Sequence, residues 1–251
     1  MPALSGKRAV ITGASSGIGR AMALAYARQG ATLVVNYRRS REQARTLVDA
    51  ITASGGNALA LPADVADEGQ VADLLQQSRN FLGGIDIWIN NAGADILTGE
   101  GARDSDAGKL SRLMDVDLRG TVHCCWQVAP LMQEQGHGVI LNMSWDLSLH
   151  GFHGRNPQMF AAVKAGIVGF SKSLALSYAP QVRVNVLAPG WIETSFAEDV
   201  MAQEYYQARL DEIPLQRFGK PEDVAAAAVF LGSDAAAYIT GQVINVNGGV
   251  I

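Results

Sequence analysis

The feature that most constrains this chain is a strict alternation. Seven short, mostly apolar runs recur along its 251 residues, and each of the first six is followed by a stretch with helical spacing. The runs are Ala9–Thr12, Leu33–Asn36, Ala58–Leu61, Ile85–Ile89, Val139–Asn142, Val182–Leu187 and Val243–Val246. Nearly continuous apolar runs, rather than alternating ones, are what parallel strands covered on both faces require. The helical stretches are Gly19–Gln29, Arg41–Ser54, Glu68–Phe81, Leu110–Gln135, Phe160–Ala179 and Pro221–Leu231, the last with proline at a first-turn position. Repeated βαβ units predict a doubly wound α/β fold of Rossmann type, with ligands at the carboxyl ends of the strands near the topological switch point. No linker or tandem repeat interrupts the pattern, so one domain over residues 1–251 is expected.

Composition removes several classes of function. A content of 48% hydrophobic and 18% charged residues excludes a disordered chain, and the absence of an apolar run near twenty residues predicts no membrane span. The first eight residues lack the basic and apolar segments of a signal peptide, which predicts a cytoplasmic protein. A net charge of −4 is too acidic for a chain built mainly to hold a phosphate backbone, so no nucleic-acid partner is expected. The two cysteines, Cys124 and Cys125, are neighbours in a helical stretch where their side chains diverge; they read as core thiols rather than a disulfide or a metal site.

The 27 glycines matter by position. Directly after the first run comes Thr12-Gly13-Ala14-Ser15-Ser16-Gly17-Ile18-Gly19-Arg20, leading into a helix. Glycines there permit a tight turn, let the backbone approach a pyrophosphate, and allow close packing of helix on strand, while the helix start favours an anion. A Gly-rich turn alone is weak evidence; between strand and helix it predicts a dinucleotide site. The second run ends Asn36-Tyr37-Arg38-Arg39-Ser40. An NAD site places a carboxylate there for the ribose 2′-hydroxyl, whereas arginine pairs with a 2′-phosphate. The expectation is therefore NADP(H), held by Arg38 in preference to Arg39, the alternative being a solvated start to the next helix.

These residues resemble the short-chain dehydrogenase/reductase family, over essentially the whole chain. The turn has the family's TGxxxGxG form, which implies cofactor contacts from Gly13, Ser15, Ser16, Gly17, Ile18 and Gly19. Asp64-Val65 resembles the adenine-contacting pair, and Asn90-Asn91-Ala92-Gly93 the NNAG segment. Pro189-Gly190-Trp191-Ile192-Glu193-Thr194 is similar to the PGxxxT segment that holds the nicotinamide, implicating Pro189, Gly190, Ile192 and Thr194. The tail from Ile239 to Gly249 is also of the family's type. The resemblance implies a three-layer α/β/α sandwich with a seven-stranded, mostly parallel sheet, a small-molecule substrate, and a homo-oligomer, tetramer or dimer. It also implies a substrate lid at about 191–215.

The family's catalytic positions are an Asn in the long helix after NNAG, a Ser beyond the fifth strand, and a Tyr four residues before a Lys. The matching positions here hold Asp117, Trp145 and Phe160, with only Lys164 kept. Phe160 has no ionisable proton, so the family's general acid is missing, a contribution of about 10²–10⁴ in rate. Trp145 puts a ring where a small hydroxyl belongs. The neighbouring Ser144 should face away by strand alternation.

Three readings follow. Hydride transfer persists toward a substrate that needs no tyrosine, such as an iminium, with Asp117 suiting the cation and Trp145 stacking on it. Alternatively His150 or His153 donates the proton, unless both are ordinary surface histidines. Finally, the fold binds NADP(H) without chemistry and senses, scaffolds or pairs. Lys164 has a role in holding ribose in any of these, and Asp117 has a structural alternative, satisfying backbone groups at a bent helix.

Overall fold

A computed structural model describes residues 2–193 and 202–250. Seven strands form one sheet in the order β3-β2-β1-β4-β5-β6-β7, and every neighbouring pair is parallel. The strands are β1 (Arg8–Ile11), β2 (Thr32–Tyr37), β3 (Asn57–Pro62), β4 (Ile87–Asn90), β5 (Gly138–Met143), β6 (Val182–Pro189) and β7 (Val243–Val246). The chain reverses its direction of growth between β1 and β4, which pair directly, so the switch point falls where the glycine turn and the NNAG segment leave the sheet.

Helices cover both faces: α1 (Gly17–Arg28), α2 (Arg41–Ala53), α3 (Glu68–Leu82), α4 (Asp106–Leu113), α5 (Gly120–Gln135), α6 (Arg155–Tyr178), α7 (Gln203–Asp211) and α8 (Pro221–Gly232). The strands are apolar on both sides, yet their side chains still alternate between two cores. Ile11, Leu33, Val35 and Ile89 join the cluster under α1, α2 and α8, whereas Val10, Val34, Trp88 and Ile140 join the one under α3, α5 and α6. The first cluster is sealed where Tyr26, fully buried, donates to Ala228 O at 2.8 Å.

Cys124 and Cys125 are both buried in the second cluster. Burial raises the Cys124 thiol well above its ordinary value and pushes Cys125 up to about 12, although Cys125 donates to Asn142 Oδ1 and accepts from Asn90 Nδ2. The core-thiol expectation thus matches the packing.

Local signals place the element ends. Asp67 caps α3 by accepting from Gln70 N, and Gly83, at φ +76°, closes it in the left-handed region. Pro221 occupies the first turn of α8, where Asp223 accepts from Lys220 N at 2.7 Å. Two helices differ from the sequence expectation. The stretch expected as one helix from Leu110 to Gln135 is divided by a π-helical segment, Met114–Arg119, lying between α4 and α5. Helix α6 starts at Arg155, a turn before Phe160. By length and composition α6 could cross a membrane, but it packs on β5 and β6 with Val163, Ile167 and Leu174 buried. A continuous-run criterion does not register such a helix, because its apolar residues are interrupted by Gln, Lys and Ser.

Candidate active site

The site is built first from hydrogen bonds between the β1 and β4 ends. Thr12 Oγ1 accepts from the backbone N–H groups of Asn91 and Ala92, both at 3.0 Å. Asn91 Nδ2 donates back to Thr12 O and Gly13 O, also at 3.0 Å. This interlock explains two glycines. A Cβ at Gly13, whose φ is +59°, would stand 2.7 Å from Ala92 Cα; one at Gly19 would stand 2.5 Å from both Gly13 O and Asn91 Nδ2. Helix α1 then begins after Ser16, whose side chain makes no capping bond, leaving the first-turn N–H groups to an incoming anion.

A cleft of about 380 Å³ opens above this turn, lined by Gly13, Ser15, Ser16, Arg38, Arg39, Asp64, Val65, Ala92 and Gly93. Nine of the residues singled out from the sequence are thus brought together. The end of β2 is fixed by buried Asn36, which accepts from Gly13 N at 3.2 Å and donates to Leu61 O and Ala63 O. Asn36 therefore serves the loop architecture. The half-exposed Arg38 guanidinium lies 3.5 Å from Asp64 across the cleft mouth. Gly17, at φ +52°, shapes the turn beneath.

An adjoining cavity of about 520 Å³ is lined by Ile18, Asn91, Ser144, Trp145, Phe160, Lys164, Pro189, Gly190 and Ile192, together with Leu97, Met143, Phe152, Asn156, Pro157, Trp191 and Tyr205. Asn91 borders this cavity and its neighbour Ala92 the cleft, so the two spaces meet at the switch point. Thr194 lies outside the described residues.

Lys164 supplies the cavity's fixed charge. Its Nζ is 2.8 Å from Asp117 Oδ2, and the carboxylate is almost fully buried. Asp117 Oδ1 accepts from Ala94 N at 2.7 Å. Both carboxylate oxygens are therefore committed inside the protein, and Asp117 does not border the cavity. The π-helical segment carries Asp117; the extra residue per turn of such a segment re-aims a side chain, and π segments recur at functional sites.

The rest of the wall is aromatic. Trp145 and Phe160 lie 6.3 Å apart, tilted by 59°, and Trp191 meets Phe152 and Tyr205 edge-on. Ser144 borders the cavity as well, but its hydroxyl donates to Lys164 O at 3.0 Å, turned toward the α6 backbone. His150 and His153 are exposed and do not border the cavity among the described residues. Beside them Asp146 is buried, and burial raises its carboxyl to about 6 against the opposing hydrogen bonds of Asn247 and Leu147 N and the charge of His150. Among the described residues no three His, Cys, Asp or Glu side chains gather as a metal-binding group.

Sequence reasoning missed Phe152, Asn156 and Pro157. They reach the cavity because α6 starts early and its approach loop folds over the site. Tyr205 falls within the stretch expected as the lid, about 191–215.

Comparison with known proteins agrees with this geometry. Residues 13–251 match the family described as enoyl-(acyl carrier protein) reductase. The chain is 38% identical over 251 residues to 3-oxoacyl-(acyl-carrier-protein) reductase FabG of Staphylococcus aureus, covering 97% of this chain and 98% of that protein. Among solved structures, a 7α-hydroxysteroid dehydrogenase complexed with NADH and 7-oxo glycochenodeoxycholic acid superposes with a TM-score of 0.89 at 34% identity, covering 98% of this chain and 94% of that one. A short-chain dehydrogenase from Burkholderia cenocepacia in complex with NADP gives a TM-score of 0.88 at 29% identity, with 99% of each chain covered.

Proposed function

The chain belongs to the short-chain dehydrogenase/reductase family, and from that premise we propose an NADP(H)-dependent reductase whose acceptor needs no tyrosine proton: an iminium, an activated alkene or a polarised carbonyl. The observation that carries this reading is the Lys164 ammonium, pinned 2.8 Å from Asp117 beside a cavity that presents the rings of Phe160 and Trp145.

The residues present fit the cofactor. The Gly13 and Gly19 approaches hold the turn tight against its own backbone, a Cβ at Gly17 would meet no protein atom within 4 Å, and the uncapped start of α1 faces the cleft with two serines. Arg38 suits a 2′-phosphate, its guanidinium moving from Asp64 to a stronger anion. Asp64 and Val65 border the adenine end, and Pro189, Gly190 and Ile192 the nicotinamide end, with Thr194 expected alongside. When bound, NADPH supplies a hydride.

In this reading Asp117 is a positioning residue. It fixes the ammonium of Lys164 so that it holds ribose hydroxyls, and it neutralises that charge, so a cationic acceptor entering the cavity is not repelled. Trp145 and Phe160 exclude water and offer ring faces to a flat cation. An iminium accepts hydride at carbon while its C=N pair becomes the nitrogen lone pair, so no proton donor is required. Of the lid expected at about 191–215, Trp191, Ile192 and Tyr205 border this cavity, while residues 194–201 lie outside the described residues. Exposed Trp126 and Leu176, on α5 and α6, support a homo-oligomer, checked by sedimentation.

The test follows NADPH binding and then NADPH oxidation with parallel panels of ketones, cyclic imines and activated alkenes. Imines or activated alkenes are expected to outpace ketones. Ketones turning over as fast would overturn the argument from Phe160, and cofactor binding with no turnover of any panel would mark a chain without chemistry. The double variant Phe160→Tyr with Trp145→Ser is expected to gain ketone reduction and to lose imine reduction.

A further inference from the structure

The loop between β5 and α6 buries a carboxylate with no cation opposite it. Asp146 follows Trp145, which borders the aromatic cavity, and is only 4% exposed. Its Oδ1 accepts from Leu147 N at 2.9 Å and its Oδ2 from Asn247 Nδ2 at 3.2 Å. It belongs to no ion pair among the described residues. Two neutral donors compensate a buried carboxylate incompletely, and the remainder is a demand for positive charge. Lys164 does not meet it, since its charge is matched by Asp117.

The carboxylate sits directly behind Gly190. A Cβ on that glycine would stand 2.9 Å from Asp146 Oδ2 and 2.7 Å from Asn247 Cβ, so a larger residue would push the three segments apart. Gly190 N donates to Val246 O at 3.1 Å, which ties the chain after β6 to the tail that carries Asn247. Gly190 also borders the cavity, at the end assigned above to the nicotinamide. The charge that faces Asp146 is that of His150, from its own loop; the neighbouring segments offer Gly190 and Asn247, both neutral.

A nicotinamide ring is neutral when reduced and cationic when oxidised. We propose that Asp146 is an electrostatic partner of that ring: its carboxylate, held behind Gly190, meets the positive charge that appears as hydride leaves and so favours substrate reduction. This rests on the dinucleotide reading above. The electron pair departs with the hydride to the acceptor carbon, and Asp146 neither gives nor takes a proton or an electron in that step. It acts through the Gly190 backbone, as a fixed charge that burial shields from salt and water. Burial raises the carboxyl to about 6, so the charge is present above that pH and lost below it. By linkage, ionised Asp146 favours the oxidised cofactor over the reduced one.

The test titrates NADP⁺ and NADPH separately against the full chain by calorimetry, at about pH 5 and about pH 8. The readout is the ratio of the two affinities, because ionisation of the 2′-phosphate affects both forms alike and cancels. In the native chain the ratio is expected to move about fivefold toward NADP⁺ from the lower to the higher pH, the effect of one partly screened unit charge. Asp146→Asn is expected to hold the ratio at its low-pH value throughout, and His150→Gln to keep the native dependence. A native ratio that does not move, or one that moves as far in Asp146→Asn, overturns the proposal. So does a dependence that vanishes in His150→Gln. A merely structural Asp146 would weaken both forms together and leave the ratio unchanged. Should Asp146→Asn fail to fold by circular dichroism, Asp146→Ser takes its place with the same expectation. Failure of both forms to bind removes the NADP(H) reading and this role with it, whereas binding of both with a flat ratio removes the role of Asp146 alone.

Discussion

Around the β1 and β4 ends the loops are held by side chains bonded to backbone, Thr12, Asn36 and Asn91 each fixing a neighbouring turn. Beyond β5 the cavity is shaped by rings that touch one another, with one buried ion pair behind them. The first region is specified by how closely backbones approach, so it tolerates almost no added volume. The second is specified by side-chain shape, and it can change chemistry while the frame stays intact. That difference explains how a chain can keep a dinucleotide cradle while carrying Phe160 and Trp145 in the adjoining cavity.

The sharpest way to break this comparison is at the ion pair, where the second region holds a buried carboxylate. Asp117→Ala strands the Lys164 charge and the Ala94 N–H, and a loss of about 3–5 kcal/mol is expected in chemical denaturation. A loss under about 1 kcal/mol would show the pair to be solvated. Next, Gly19→Ala places a methyl group against Gly13 O and Asn91 Nδ2, and NADPH affinity should fall about 100-fold, roughly 3 kcal/mol, by direct titration. Phe160→Leu should leave that affinity unchanged; if both variants lose it equally, the two regions are not separable.

Asp86 serves as a control distant from both regions, at the opposite, amino-terminal end of the central strands, just before β4. Burial alone would raise its carboxyl, but hydrogen bonds from Arg8 and His137 and the Arg8 charge outweigh it and hold it below the usual range. A lowered folded value means the group stabilises the protein above the unfolded carboxylate value, about 4, and that this is lost as pH falls through the folded value. Asp86→Asn should cost about 2 kcal/mol at neutral pH, with the gap to the native chain closing in acid and ligand affinities unmoved. The smallest effect is at Arg38: Arg38→Ala should lower the preference for NADPH over NADH by about tenfold, or 1.4 kcal/mol. A native chain preferring NADH would remove the role given to Arg38.

What the sequence made legible follows the same division. Gly13, Gly19 and Asn91 could be read because a tight turn and a close approach demand particular residue types at fixed spacing. The doubly wound parallel sheet followed from the βαβ repeat, whereas its strand order did not. By contrast, no spacing rule announces the π segment at Met114–Arg119, which sets where Asp117 points. The early start of α6 at Arg155 was hidden because Gly154 and Pro157 read as loop residues. Arg209 reads as a solvated charge, and its burial arises only when Phe152, 57 residues earlier, folds against it. Contacts between distant segments carry no local signature.

The buried cysteine pair has a consequence for chemical durability. Oxidants and electrophiles attack the thiolate, and the raised Cys124 and Cys125 withhold it. Peroxide finds an easier target in the thioether of Met114, 40% exposed at the first residue of the π segment. Oxidative damage would thus enter through the turn that aims Asp117 at Lys164, and the protein would age at its ion pair before its core thiols reacted.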